Sequence, residues 1–372
     1  MPDARYRLFL DNAPASDDAL AQFSVVRVEQ AIGMAAAAEL EVSLATDDGG
    51  VWSGFDEGYA QPFTRVRVEV KVGEGDFVAL IDGPVVGHRF DLDARPDESR
   101  LVVVAHDDSV LLDRDESVAV FENVAPSQII SQLISDAQLS PRISAQLPDA
   151  GSALDRYIVQ RGTPMSLLRM LARRFGMFVY VEPGSAPGQS VAVFEAPAAG
   201  DDSLPELVLL GPDRNIGRFS AEFDALRPLA PKTSNVQAID KQTVTGQADS
   251  DDGDALGDEP AHSLLQAPVT LLAHTREEQS DVDASTAGVA RLSSWAYSAH
   301  GEVDNDLYGG VLRPHRKVRV RGVGPQLSGD YMISRVAHAI DDGGYRQRFW
   351  LSRNARSAGG AGSLSGLASG IF

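Results

Sequence analysis

The sequence predicts a mainly β protein in which two antiparallel β-barrel regions flank a small α/β insert. Three observations predict it. Apolar and charged residues alternate with period two toward both ends of the chain. Turn signals rich in Gly, Asp and Pro separate these runs at short intervals, as in a sandwich or barrel. Between about 121 and 204 the apolar period changes to that of helices. At 372 residues the chain has room for two to four domains of ~100–200 residues each.

The first region spans residues 1–120. Tyr6, Leu8 and Leu10 alternate with Arg5, Arg7 and Phe9, and Leu40, Val42 and Leu44 repeat the pattern. Val66, Val68, Val70 and Val72 alternate with Arg65, Arg67, Glu69 and Lys71, which predicts a strand with one polar, solvated face. Leu101–Val104 is a continuous run suited to a strand buried on both faces. The insert, 121–204, opens with Pro126 at a helix start, followed by a stripe of Ile129, Ile130, Leu133, Ile134 and Ala137. Thr163-Pro164 caps a second helix with Leu167, Leu168, Leu171 and Phe175 on one face and Gly176 as its stop. Phe178–Val181 and Val191–Phe194 read as a strand pair across a Gly/Pro loop.

The second β-region spans 205–356. Lys317–Arg321 is a strand, and Tyr331–Ile340 with Tyr345–Leu351 makes a hairpin across Asp341–Gly344. An acidic loop and a helix interrupt the region at about 247–310; the helix is expected over 282–299, with Val289, Leu292, Trp295 and Ala296 inward. Residues 357–372 read as a flexible Gly/Ser/Ala tail carrying Leu364, Leu367, Ile371 and Phe372. The two β-regions are compatible with an old duplication, which periodicity alone does not establish.

Charge narrows the function classes. There are 53 acidic against 33 basic residues, a formal net charge of -20. Such a surface repels phosphate and anionic membrane, so neither stable nucleic-acid binding nor direct membrane anchoring is expected. Cysteine is absent, which removes disulfides, zinc-thiolate sites and cysteine nucleophiles. No apolar leader is readable after Met1, so no signal peptide is expected.

The chemistry-bearing residues form no strong pattern. The seven histidines show no metal-ligand spacing; His274 with Glu277 and Glu278 reads as an exposed helix start rather than a metal site. No nucleophile elbow and no phosphate-binding loop occur. The expectation is a protein that is not an enzyme and holds no cofactor or metal. One feature opposes the overall charge: Arg313, Arg316, Lys317, Arg319 and Arg321 crowd together around His315. They suit an electrostatic contact, with Asp249, Asp251, Asp252 and Asp254 of the acidic loop as candidate partners; a solvated strand face that blocks edge pairing explains them equally well. Trp52, Trp295 and Trp350 are expected as core or interface anchors.

Several stretches also carry a family resemblance. Leu80-Ile81-Asp82-Gly83-Pro84-Val85 followed by Leu101–Ala105 and Asp107-Asp108 looks like the end of a first tube barrel. Val124–Leu139, Tyr157–Gln160 and Leu167–Tyr180 look like an α/β insert, and Leu327–Tyr331 with Val336–His338 and Gly344–Phe349 like a closing hairpin. In this order the chain resembles the phage late control D proteins, the baseplate hubs of contractile tails. It is similar also to the hub region of the VgrG proteins of type VI secretion and to hubs of extracellular injection systems. The resemblance implies two tube-forming barrels per chain and a homotrimer making a pseudo-sixfold ring. The implied partners are an inner tube protein, a separate spike protein and baseplate wedge proteins. Assembly would occur in the bacterial cytoplasm, in the baseplate of a phage tail or injection particle. No fused spike is readable after residue 356. The tail is expected to dock on the spike or a neighbouring hub, and the lumen to be lined by like-signed acidic groups. A secreted carbohydrate-binding or carbohydrate-active β-protein is the alternative.

Overall fold

The computed structural model describes residues 4–46, 48–54, 57–95, 98–143, 147, 157–197, 204–236, 241–248, 255–264, 267–272, 279–304 and 307–357. The protein is mainly β, with a curled antiparallel sheet of 13 strands as its frame. Eight of these strands form a continuous wall built from two similar halves. In the first half the spatial order is Phe23–Ala31, Ala37–Ser43, Arg100–His106, Val78–Asp91. In the second it is Ile216–Phe223, Tyr297–Val303, Gly344–Arg353, Gly329–Asp341. Both halves therefore follow the chain order first, second, fourth, third.

The halves share further detail. In each, the third strand is long and serves two partners. Val78–Pro84 pairs with Arg65–Val72, and Val85–Asp91 pairs with Arg100–His106 across a bulge at Val85/Gly87. Likewise Gly329–Met332 pairs with Lys317–Val320, and the rest of that strand pairs with Gly344–Arg353 across a bulge at Ile333/Arg335. A bulge bends a strand and raises its twist, which lets the hairpin arm fold back over the wall as a lid.

The two halves join edge to edge. Arg335–Ile340 pairs antiparallel with Val26–Ala31, so one sheet crosses both β-regions. His338 fixes this seam from the core side: its Nδ1 lies 2.8 Å from the Tyr345 hydroxyl and its Nε2 3.2 Å from the Gln30 side-chain oxygen. Burial pushes the His338 imidazole down to about 3, with nearby Arg313 adding to the effect, so it is neutral in the folded protein.

Each lid encloses an apolar core against one face of the wall. Leu8, Val66, Val68 and Val70 meet Val26, Val28, Leu40 and Val103 in the first. Leu207, Val318 and Val320 meet Ile333, Val336, Phe349 and Leu351 in the second. Alternation dictates this arrangement, since each strand offers every other residue to the core.

The insert has its own core of Ile129, Ile130, Leu133, Leu168, Leu171 and Phe194 beneath the helices Pro126–Asp136 and Pro164–Phe175. The Thr163 hydroxyl accepts a hydrogen bond from Ser166 N at 3.1 Å, and Gly176 takes φ 66, the left-handed stop. Phe178–Pro183 and Ser190–Glu195 pair antiparallel, with Ser140–Ile143 added in parallel. A further helix, Gln279–Ser293, crosses the end of Pro164–Phe175 at two glycines: a Cβ on Gly288 would stand 2.5 Å from Gly176 N.

That helix corrects the expectation for 282–299. It ends at Ser293, and Tyr297–Val303 is a wall strand. Its inward side chains are Val282, Ser285, Thr286 and Ala290 rather than Val289 and Leu292. The alternation from Tyr297 to Val303 is satisfied by pairing on both edges, which outweighs local helix propensity.

Candidate functional site

Two surfaces concentrate polar chemistry. The first is the bare face of the wall, opposite the lids. Charges of opposite sign pair there between strands, most of them between neighbours and one, Arg89 with Glu39, across an intervening strand. Arg27 meets Glu41 at 3.2 Å, Arg89 meets Glu39 at 3.4 Å, and Arg335 meets Glu29 at 2.7 Å across the seam. Arg100 reaches Asp91 at 3.2 Å and Glu41 at 3.5 Å. Arg348 meets Glu302 at 3.3 Å, and Arg346 pairs with Asp341. Val102, in register with both Glu41 and Arg89, is buried although it lies on this face. Long side chains on either side cover it with their aliphatic stems.

The second surface is buried, where the insert docks on the first lid. Arg65 donates to Asp82 at 2.7 Å and to Asp108 at 2.8 and 2.9 Å. Arg67 donates to Glu69 at 2.8 Å and to Asp82 at 3.1 Å. The insert completes the network: Gly188 N donates to Asp82 at 2.9 Å, Ser190 Oγ to Asp108 at 2.7 Å, and Arg67 to the Ala186 carbonyl at 3.2 Å. Asp82 is 1% and Arg67 4% exposed. The charges are affordable only because each has several partners. Arg65 is held further toward its charged form by Asp108 and Asp82, against the opposing effect of burial. Gly83 sits where a Cβ would lie 2.0 Å from the His106 carbonyl, so the Asp82-Gly83 pair is fixed by close backbone approach.

The second lid meets the insert through the strip of basic residues. Arg316 donates to Glu182 at 3.1 Å, and Arg142 meets Glu182 at 2.7 Å. His315, at φ 63, stacks on Tyr180 with ring centroids 3.6 Å apart. Burial, with Arg316 adjacent, pushes the His315 imidazole down to about 3. A cavity of about 50 Å³ lies at this three-way junction, bordered by Gln30, Leu80, Asp107, Tyr180, His315 and Arg316. It has room for a few water molecules and not for an organic substrate. Burial raises the Asp107 carboxyl, which accepts from Ala36 N at 2.6 Å and Ser109 N at 2.9 Å as a turn cap.

The basic strip is thus divided rather than gathered on one patch. Arg313 borders the cavity, Arg316 faces the insert, and Lys317 is half-buried in the lid. Arg319 and Arg321 are exposed beside Glu206, at 3.8 and 2.5 Å, and Arg321 lies 4.0 Å from Asp213. Asp249, Asp251, Asp252 and Asp254 lie outside the described residues, as do Leu364, Leu367, Ile371 and Phe372 and the His274, Glu277, Glu278 group. Among the described residues no group of three His, Cys, Asp or Glu side chains is placed to hold a metal ion. No described helix is long and apolar enough to cross a membrane. Trp295 is buried, and Trp350 carries the Arg335 guanidinium 4.3 Å above its ring.

Sequence reasoning missed the buried network. It assigned Arg65, Arg67 and Glu69 to a solvated face, whereas Arg67 and Glu69 are buried beneath the insert. The signal that could have found it was the Asp82-Gly83-Pro84 step, with a carboxylate inside an otherwise apolar run.

Comparison with solved structures agrees with this architecture, whereas the family model that matches is not one of the late control D or VgrG hubs. A family model described as the Alg8 N-terminal domain matches residues 20–342. The chain belongs to that family. The matched span of the Alg8 N-terminal domain family covers the first wall half and the insert and stops before the wall strand Gly344–Arg353. No curated protein matches the sequence. Among solved structures, the 43 kDa tail protein of prophage MuSo2 from Shewanella oneidensis aligns with TM-score 0.62 and 14% identity, over 94% of this chain and 98% of that one. The tail protein from Neisseria meningitidis MC58 aligns with TM-score 0.60 and 11% identity, over 95% and 97%. An E. coli component of the type VI secretion system, itself structurally similar to the T4 bacteriophage tail proteins gp27 and gp5, aligns with TM-score 0.53 and 12% identity, over 96% and 79%. At these identities the fold is what is shared, and it is a fold of tail and secretion-machine proteins.

Proposed function

We propose that the chain is the structural, non-enzymatic baseplate hub of a contractile injection machine. Three copies close a ring that presents six similar wall halves to a sixfold inner tube and threefold symmetry to a separate spike. The observation that carries this reading is the repeated strand order together with the seam. Inside one copy, the third strand of the second half pairs with the first strand of the first half. Applying the same step once more would pair Val86–Asp91 with Ile216–Phe223 of the next copy, a heterologous contact that closes into a ring if the rotation fits.

The free edges support it. Val86, Phe90 and Phe223 alternate onto the core side of the sheet yet are 39%, 42% and 39% exposed. They are core positions lacking a cover. The threefold number, the tube, wedge and spike partners, and a place in a phage tail or injection particle built in the bacterial cytoplasm rest on the resemblance to late control D and VgrG hubs. The fold of the tail-protein neighbours supports the same reading.

The test is an edge variant. Light scattering of the full chain should give three times the chain mass, and Phe90→Glu should shift it to the monomer at the same concentration. A wild-type monomer at high concentration, or a Phe90→Glu variant that stays trimeric, overturns the proposed edge pairing.

A further inference from the structure

In a closed ring of this kind the lids and insert lie outward and the bare face of each wall becomes the inner surface. Twenty-four strands at about 4.8 Å give a circumference of about 115 Å and a backbone diameter of about 37 Å, a wide conduit. The inference below rests on that ring reading. The expected acidic lining is not what this face carries. Its paired charges are six arginines against six carboxylates, balanced within a chain of net charge -20.

We propose that this face is a self-neutralised passage wall, across which a nucleic-acid strand slides without being held. All six cations are arginine, whose planar fork fits phosphate. Left unpaired they would form a gripping surface. Each is instead engaged by a carboxylate on a neighbouring strand or, for Arg89 with Glu39, across one intervening strand. Opposite charges paired at 2.7 to 3.5 Å cancel one another at longer range, and salt screens what is left. Stacking is suppressed as well: Arg335 covers the Trp350 ring, the one indole on the wall strands, so no open aromatic platform is offered there. Taken singly, exposed ion pairs of this kind contribute only about 0.2–1 kcal/mol each.

The probe is labelled single-stranded DNA, linear or ligated into a circle, mixed at about 50 mM salt with preassembled full-length protein. Wild type should retain neither form. The variant E29Q/E39Q/E41Q/E302Q keeps every arginine and removes four carboxylates. It should bind the linear strand at least about 100-fold more tightly than wild type, with a salt slope of about -3 for four freed phosphate contacts. The matched variant R27Q/R89Q/R348Q should bind neither form and serves as the folding control. If the quadruple variant fails to bind, or wild type binds equally well, the proposal is overturned. The circle separates the two readings. A closed ring with the lattice inside captures only a strand with a free end. Capture of the circle as well would keep the self-neutralised lattice but place it on an outer surface, overturning the conduit and the ring reading beneath it.

Discussion

The strands Arg65–Val72 and Lys317–Arg321 hold the same place in the two halves of the wall, and both alternate valine with charge. Their charges have opposite fates. Arg67 and Glu69 are buried, whereas the side chains of Arg319 and Arg321 are 61% and 50% exposed. The cause lies outside both strands. The insert loop from Ala186 to Ser190 closes over the first lid and supplies backbone and hydroxyl partners to its ion network. On the second lid the insert meets His315 and Arg316, just before the strand, while Arg319 and Arg321 meet Glu206 and Asp213 at a wet surface. Equal alternation therefore specifies which residues face the core but leaves open what the other face meets.

The strongest way to break the comparison is to remove the shared carboxylate of the first lid. Asp82→Ala leaves Arg67 buried with one fewer counter-charge and should cost about 3–5 kcal/mol in chemical denaturation. A loss under about 1 kcal/mol would mean that the network is not the clamp of this half. Acid tests the seam and the contact of the second lid with the insert. His315 and His338 are neutral in the fold, with affinities for protons pushed down to about 3 by burial. The unfolded chain takes up those protons near pH 6.5, so stability is complete above that pH and declines as pH falls toward 3. At pH 5 the decline should be about 2 kcal/mol per histidine, and His338→Gln should remove its share of the slope. An identical slope in that variant would contradict the seam assignment. The smallest effect sharpens the contrast: Arg321→Ala, on the open lid, should change stability by less than about 1 kcal/mol. A loss comparable to that of Asp82→Ala would erase the distinction between the lids.

Much of the frame was legible. The Thr163 cap, the Gly176 stop and the Asp341–Gly344 hairpin follow from local chemistry and occur where the sequence puts them. The halves' common strand order was not legible, because only sheet register reveals it. The Val26–Ala31 seam joins segments whose alternation says nothing about which strand lies alongside. The ladder on the bare face was hidden for the same reason. Arg27, Glu41 and Arg100 belong to three separate runs, and only the register makes Glu41 a partner of both arginines. The basic strip was visible as a cluster, but a lid corner splits it between the insert, the cavity and the solvent.

The seam also sets a schedule for synthesis. Gln30 and His338 are 308 positions apart, so at about 5–20 residues per second the first wall strand waits roughly 15–60 s on the ribosome for its neighbour. Throughout that interval its edge is open to other nascent chains. Arg27 and Glu29 on that strand act as gatekeepers during the wait, since charged edges resist irregular pairing. The residues that later pair across the finished wall thus first protect the chain from its own unfinished copies.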